Sequence, residues 1–153
     1  IVVQGPNGGR EVAAGDCFVG IFTTALTTGE LVTEVHVPVT KRGMGGAYAK
    51  HEHPASGYSV AGAAAVLTVE GGSCSRARVI IGGAMPTPMR ATAVEKALVG
   101  SAPTEEAIAA AVEHVAEALD SPTGDTYASG EYRVHLAAVL AKRALTAAAE
   151  RAG

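Results

Sequence analysis

The sequence predicts an α+β fold, an antiparallel β-sheet of three or more strands packed on a small C-terminal helical layer of about three helices. Three observations carry this expectation. Apolar residues alternate with a period of two in segments up to Ile81, and the period changes to 3.6 after Pro86 and Pro88. Two small-residue strands meet at Gly71-Gly72 and make the clearest hairpin of the chain. The strand-like segments come first and the helix-like segments last, so no βαβ unit exists and no Rossmann crevice is expected.

The elements follow in order. Ile1 to Gln4 reads as a strand, Gly5-Pro6-Asn7-Gly8-Gly9 as a hairpin turn in which Asn-Gly accepts positive φ, and Arg10 to Ala13 as the return strand. Asp16 to Leu26 holds one short helical turn and a loop. Leu31 to Val39 alternates, with Leu31, Thr33, Val35 and Val37 on one side and Val32, Glu34 and His36 on the other, and Pro38 ends it. Lys41 to Gly46 is a flexible connection. Ala47 to His53 is extended, and Pro54 breaks it. Val60 to Val69 and Cys74 to Ile81 form the hairpin, with Arg76, Arg78 and Ile80 on one face of the second strand and Ala77, Val79 and Ile81 on the other. Arg90 to Val99 reads as a short helix closed by Gly100. Thr104 caps a helix that runs to Leu119, with Ile108, Ala111, Val112, Val115 and Leu119 as its buried stripe. Ser121 to Gly130 is a loop. Glu131 to about Arg151 is the longest helix, with Tyr132, Leu136, Val139, Leu140 and Ala144 on one side.

Bulk composition narrows the class of protein. The 153 residues suffice for a single domain over 1–153. Hydrophobic residues make up 48% but aromatics only 4%, with no Trp, so the core is built from small side chains. A net charge of −3 gives no reason to expect nucleic acid or an anionic membrane as a partner. No run of about 18 apolar residues spans a membrane. Cys17 and Cys74 form no CxxC pair, so they build no zinc or iron–sulfur site and read as buried thiols of a cytoplasmic protein. The chain begins inside a strand-like run, Ile1-Val2-Val3, which suggests a fragment of something longer.

No catalytic residue and no metal site is expected. His51 and His53 share a face of a strand, but no third ligand accompanies them. Ser56 lacks the G-x-S-x-G frame of a nucleophile elbow. The paired acids Glu105-Glu106 have a structural reason at a helix N-terminus. The Gly-rich turn near the start is followed by a strand and not a helix, which removes the dipole a phosphate site needs. The segment Tyr48-Ala49-Lys50-His51-Glu52-His53-Pro54-Ala55-Ser56-Gly57-Tyr58 differs in kind. It sets a cation and an aromatic around a Pro/Gly turn at a strand end. Such a turn is compatible with a flavin ring, and equally with no ligand.

Arg10-Glu11-Val12, the run from Phe18 to Leu26, Gly29 to Val35, Tyr48-Ala49-Lys50, Glu52 to Tyr58, Pro86-Thr87-Pro88 with Arg90-Ala91, and Tyr132-Arg133 with Arg143-Ala144-Leu145 together resemble the FAD-binding medium subunits of the carbon monoxide dehydrogenase and xanthine dehydrogenase family of molybdenum hydroxylases. The resemblance covers nearly the whole chain. It implies the C-terminal domain of such a subunit, with 1–40 as the end of, or the linker from, the FAD-binding domain. The two Gly-rich loops that hold the FAD pyrophosphate in that family are not found in the sequence. By the same resemblance Lys50 contacts the flavin ring, Val32 is the matching strand position upstream, the turn at Gly57 lies beside the ring, and Tyr58 stacks on it. His51 departs from the apolar residue expected there. The complete enzyme would carry a molybdenum cofactor in a large subunit and [2Fe-2S] clusters in a small subunit, both partners of this one, with electrons passing through FAD to an acceptor. The isolated fragment would be inactive. The competing reading is a non-catalytic subunit-docking domain with little direct flavin role.

Overall fold

The computed structural model describes all the residues from Ile1 to Gly153. They gather into two compact units, Ile1–Val39 and Thr40–Gly153.

In the smaller unit, β1 (Val2–Gly5), β2 (Gly8–Glu11) and β5 (Leu31–Glu34) form an antiparallel sheet in the order β2-β1-β5. The β1–β2 turn is centred on Pro6-Asn7, and Gly8 alone takes the positive φ, so the return strand starts two residues earlier than its sequence suggests. A short helix α1 (Ala14–Cys17) leads into a small hairpin of β3 (Phe18–Gly20) and β4 (Thr23–Thr24). Only Val3, Val12 and Cys17 are buried together. An Arg10–Glu30 fork, with N–O distances of 2.7 and 2.8 Å, ties β2 to the segment before β5. Hydrogen bonds from Arg10 and from the Thr27 N–H outweigh the opposing effect of desolvation and hold the Glu30 carboxyl at a pKa of about 2. The strand expected over Leu31–Val39 stops at Glu34, because its partner β1 ends there: Glu34 already faces Val2. Val35, Val37 and Val39 therefore alternate without being buried.

The larger unit carries the predicted architecture. β6 (Met44–Glu52), β7 (Ser59–Glu70), β8 (Ser73–Gly82) and β9 (Met89–Arg90) form an antiparallel sheet in chain order. α2 (Thr92–Leu98), α3 (Glu105–Val112) with a 3-10 continuation over Glu113–Ala118, and α4 (Gly130–Ala152) cover one face of it. Arg90 belongs to β9 and not to the helix, which starts two residues later. Thr104 does cap α3, accepting the Ala107 N–H at 3.2 Å, and the stripe from Ile108 to Leu119 is buried as expected.

Where α4 crosses β6 and the first half of β7, the helix-facing side of the sheet is almost free of large side chains, whereas Leu67, Val79 and Ile81 fill it further along. Gly45, Ala47 and Ala49 on β6 and Ala61, Ala63 and Ala65 on β7 alternate inward. α4 answers with Ala137, Ala141, Ala144 and Ala148, spaced three and four residues apart. The two surfaces approach so closely that a Cβ on Gly45 would fall on the Ala148 carbonyl oxygen and 2.6 Å from the Ala152 nitrogen. This spacing corrects the stripe expected on α4. Of the residues expected on the buried side, Leu140 and Ala144 are buried but Tyr132 is 45% exposed, and the seam is completed by Ala137, Ala141, Leu145 and Ala148. A glycine–alanine sheet draws the helix axis in, and a bulky residue no longer fits beneath it.

One carboxylate closes the outer edge of the sheet. β9 pairs only with Ile80 and Ile81. Beyond it the buried Glu95 of α2 accepts the Val79 N–H at 3.0 Å, standing where a strand neighbour would be. Arg90 forks the same carboxylate at 2.9 and 2.6 Å. Burial pushes the Glu95 carboxyl up, but the hydrogen bonds from Arg90 and Val79 and the charges of Arg90 and Arg78 hold it below the usual carboxylate range.

Gly45→Ala should lower the unfolding free energy by about 3 kcal/mol, because backbone and not a flexible side chain lies where the methyl must go; equilibrium denaturation measures it. The depressed Glu95 pKa means that its share of the stability is present above the unfolded carboxyl pKa and lost as pH falls through the lower folded value. Melting temperatures across the acid range should therefore fall less steeply for Glu95→Gln, which should already be less stable than the parent at neutral pH.

Candidate functional site

The other face of the four-stranded sheet carries no helix. Gly46, Tyr48, Lys50 and Glu52 of β6 point that way. Val66, Ala64 and Gly62 of β7 lie opposite the first three of these in register. The result is a shallow trough of small residues flanked by Tyr48 and Lys50. Tyr48 is 61% exposed, and its ring leans over Gly62: a Cβ there would lie 2.7 Å from the Tyr48 Oη and 2.9 Å from the Ser59 Oγ. The Ser59 hydroxyl oxygen is buried beside that point and has no hydrogen-bond partner.

Between β6 and β7 the chain turns tightly from His53 to Tyr58. The His53 N–H donates to the Tyr58 carbonyl and the Gly57 N–H to the His53 carbonyl, each at 2.8 Å. Gly57 sits at φ 70°, a conformation that costs glycine nothing and a branched side chain a good deal. The Ser56 Oγ accepts the Tyr58 N–H at 3.3 Å, and the His53 ring nitrogen accepts the Ala55 N–H at 3.2 Å. Lys50 reaches across from the strand. Its ammonium donates to the Gly57 carbonyl at 3.2 Å and pairs with Glu52 at 2.9 Å. This fixes the turn and leaves Tyr58 at its closing end, next to β7, 80% exposed.

Three of the four residues singled out in the sequence are thus brought together: Lys50, Gly57 and Tyr58. Val32 lies in the smaller unit, on β5 opposite Val3, half exposed. The sequence reading missed the base of the turn. Arg133, on the first turns of α4 and buried, donates to the Val60 and Gly83 carbonyls at 2.9 and 2.8 Å and pairs with Asp125 at 2.6 Å. Asp125 in turn accepts the Ala128 and Tyr127 N–H groups, at 2.8 and 2.9 Å. The Ala128 hydrogen bond, opposed by desolvation and joined by that from Tyr127 and by the charges of Arg133 and His53, keeps the Asp125 carboxyl below its usual range. Tyr127 packs on His53, with ring centroids 4.4 Å apart. The strongest available signal was Asp125 in a Gly- and Ser-rich loop, eight residues before an arginine on the inward face of a helix.

Chemically the site offers two exposed aromatic rings, Tyr48 and Tyr58, and a tethered ammonium, with an unpartnered Ser59 hydroxyl buried behind them. No group of three or more His, Cys, Asp or Glu side chains gathers anywhere in the structure.

Comparison with known proteins gives the family of this sheet-and-helix domain. The model of the CO dehydrogenase flavoprotein C-terminal domain matches residues 46–148, and the chain belongs to that family. It is 40% identical over 150 residues to the carbon monoxide dehydrogenase medium chain of Afipia carboxidovorans, covering 98% of this chain and 52% of that one. Among solved structures it is similar to the carbon monoxide dehydrogenase from Hydrogenophaga pseudoflava that lacks the Mo-pyranopterin moiety of the molybdenum cofactor, with a TM-score of 0.91, 37% identity, and coverage of 98% of this chain and 52% of that one. It is also similar to quinoline 2-oxidoreductase from Pseudomonas putida 86, with a TM-score of 0.88, 28% identity, and coverage of 99% and 52%. The chain spans about half the length of the curated relatives it matches.

Arg133→Met should destabilise the protein by about 3 kcal/mol, since it strips donors from buried carbonyls and leaves Asp125 without its partner. Arg133→Lys should recover little, because an ammonium cannot serve two carbonyls and a carboxylate in the same fork. Denaturant titration of the two variants checks this.

Proposed function

We propose that the larger unit forms one wall of a flavin site in the medium subunit of a molybdenum hydroxylase. The observation that carries this reading is the Lys50–Gly57 tether, which holds a cation beside the open sheet face and next to the exposed Tyr58. The chain's own residues fit a flavin ring. Tyr48 and Val66, both exposed, and the small Ala64 between the strands leave this face open beside the turn, while Gly62 and the Ser59 hydroxyl lie buried beneath the Tyr48 ring. Bound FAD would supply the redox chemistry, and the protein would tune and orient it.

The role of each residue follows from its geometry. Tyr58 offers an aromatic face for stacking, worth about 1 kcal/mol beyond the area it buries. Lys50 brings positive charge, tempered by Glu52, that favours electron density on a neighbouring ring. Gly57 supplies the carbonyl that keeps the ammonium in place. Val32 enters the proposal on the resemblance alone. The smaller unit, with Phe18, Val19, Ile21, Phe22 and Leu31 all exposed around a core of three residues, reads as the end of the FAD-binding domain and not as a domain in its own right.

In the complete enzyme, substrate oxidation would take place in a molybdenum-containing large subunit. Electrons would pass through the [2Fe-2S] clusters of a small subunit to FAD, and from FAD to an acceptor. We place the assembly in the cytoplasm; no helix of the chain is long and apolar enough to cross a membrane. The isolated 153 residues would be inactive and would retain no FAD.

In the full-length subunit, Lys50→Ala should lower the flavin midpoint potential, since it removes positive charge from the reduced ring. Tyr58→Ala should weaken FAD binding about fivefold, the equivalent of roughly 1 kcal/mol. Spectroelectrochemistry and FAD titration read the two effects. Unchanged potential, spectrum and occupancy in both variants would remove Lys50 and Tyr58 from the site.

A further inference from the structure

A second polar feature lies on the outer edge of β8, away from the Lys50 turn, and Val79 supplies its template. Val79 turns both backbone groups outward: its carbonyl takes the Ala91 N–H at 2.9 Å and its N–H goes to the Glu95 carboxylate. Arg90 forks that carboxylate, and Arg78 lies 3.6 Å from it. A carboxylate at this edge is thus held by one strand N–H and flanking guanidinium groups.

The same arrangement recurs two residues away without its carboxylate. Val79 faces Ala65 and Ala77 faces Leu67, so the antiparallel alternation turns the backbone groups of Ala77 outward as well. The Ala77 carbonyl takes the Arg78 guanidinium at 2.9 Å. Its N–H has no partner in the chain, because β9 ends at Arg90 and the Glu95 carboxylate is engaged at Val79. Arg76, Arg78 and Lys96 line the groove of about 420 Å³ into which this N–H opens. Neither Arg76 nor Lys96 has an acidic partner. With Arg90, the groove gathers four cations around one carboxylate in a chain whose net charge is −3.

We propose that this edge receives an aspartate or glutamate side chain from a partner subunit of the same assembly, bound by the Ala77 N–H and by Arg76, Arg78 and Lys96 as Glu95 is bound by Val79 and Arg90. A protein segment fits better than a free anion. The groove is walled on one side by Val99, 48% exposed, which a small anion would leave in water and a peptide segment would cover. The charge imbalance supplies complementarity to an acidic surface and a salt-sensitive association. The proposal rests on the multi-subunit assembly proposed above but not on the flavin contacts, because none of its residues belongs to the Lys50–Tyr58 turn.

The test is the assembly of the full-length medium subunit with its large and small partner subunits, measured at low and at high salt. Arg76→Glu with Lys96→Glu leaves the Glu95 network in place. At low salt this pair should raise the dissociation constant at least about tenfold and flatten its salt dependence, with an unchanged melting temperature. If the double reversal fails to fold, Arg76→Gln with Lys96→Gln should give the same direction with a smaller change. Assembly with unaltered affinity and salt dependence would overturn the proposal. So would inorganic phosphate binding that the variant abolishes while assembly stays the same, which would mark a free-anion site.

Discussion

The close approach of α4 to β6 is the constraint on which the larger unit depends. Gly45 has no room for a Cβ, and the helix meets the sheet through alanines. The interface is made of contact area between small groups, so it tolerates little change in volume. It also decides which face of the sheet stays open. Because α4 takes the side of Gly45, Ala47 and Ala49, the alternating residues Tyr48 and Lys50 must stand on the other. The candidate site is in this sense a consequence of where glycine and alanine fall along β6.

Two buried charges then fix what the sheet leaves loose. Arg133 gathers the start of β7, the end of β8 and the loop before α4, and so supports the turn that carries Tyr58 from beneath. Glu95 completes the outer edge, where β9 is only two residues long. Each is hydrogen-bonded by several partners, as a buried charge must be if it is not to destabilise the fold. The first supports the turn that carries Tyr58 and the second closes the outer edge of the sheet.

The α+β class, the β7–β8 hairpin, the Thr104 cap and the stripe on α3 were legible because local periodicity and capping chemistry decide them. What the sequence concealed was non-local. The true seam of α4 could not be read from its own pattern, since Tyr132 and Val139 fit the period as well as Ala137 and Ala141 do; the glycine and alanine content of a sheet far away in sequence chose between them. The length of β5 was set by the shortness of β1. At the site, Lys50, Gly57 and Tyr58 lie within nine positions and could be picked out, whereas Arg133 acts on Val60 and Gly83 from 73 and 50 residues away.

The family and the fold are shared with carbon monoxide dehydrogenase medium chains, and in the function proposed above this chain contributes geometry: an open sheet face, a held cation and an exposed aromatic ring. The most direct measurement of that claim is a structure of the full-length subunit with FAD bound. The account predicts the Lys50 ammonium and the Tyr58 ring in van der Waals or hydrogen-bond contact with the isoalloxazine, on the sheet face that carries Tyr48. A flavin ring seated against another surface, with Lys50 still tied to Gly57 and Tyr58 facing solvent, would contradict it.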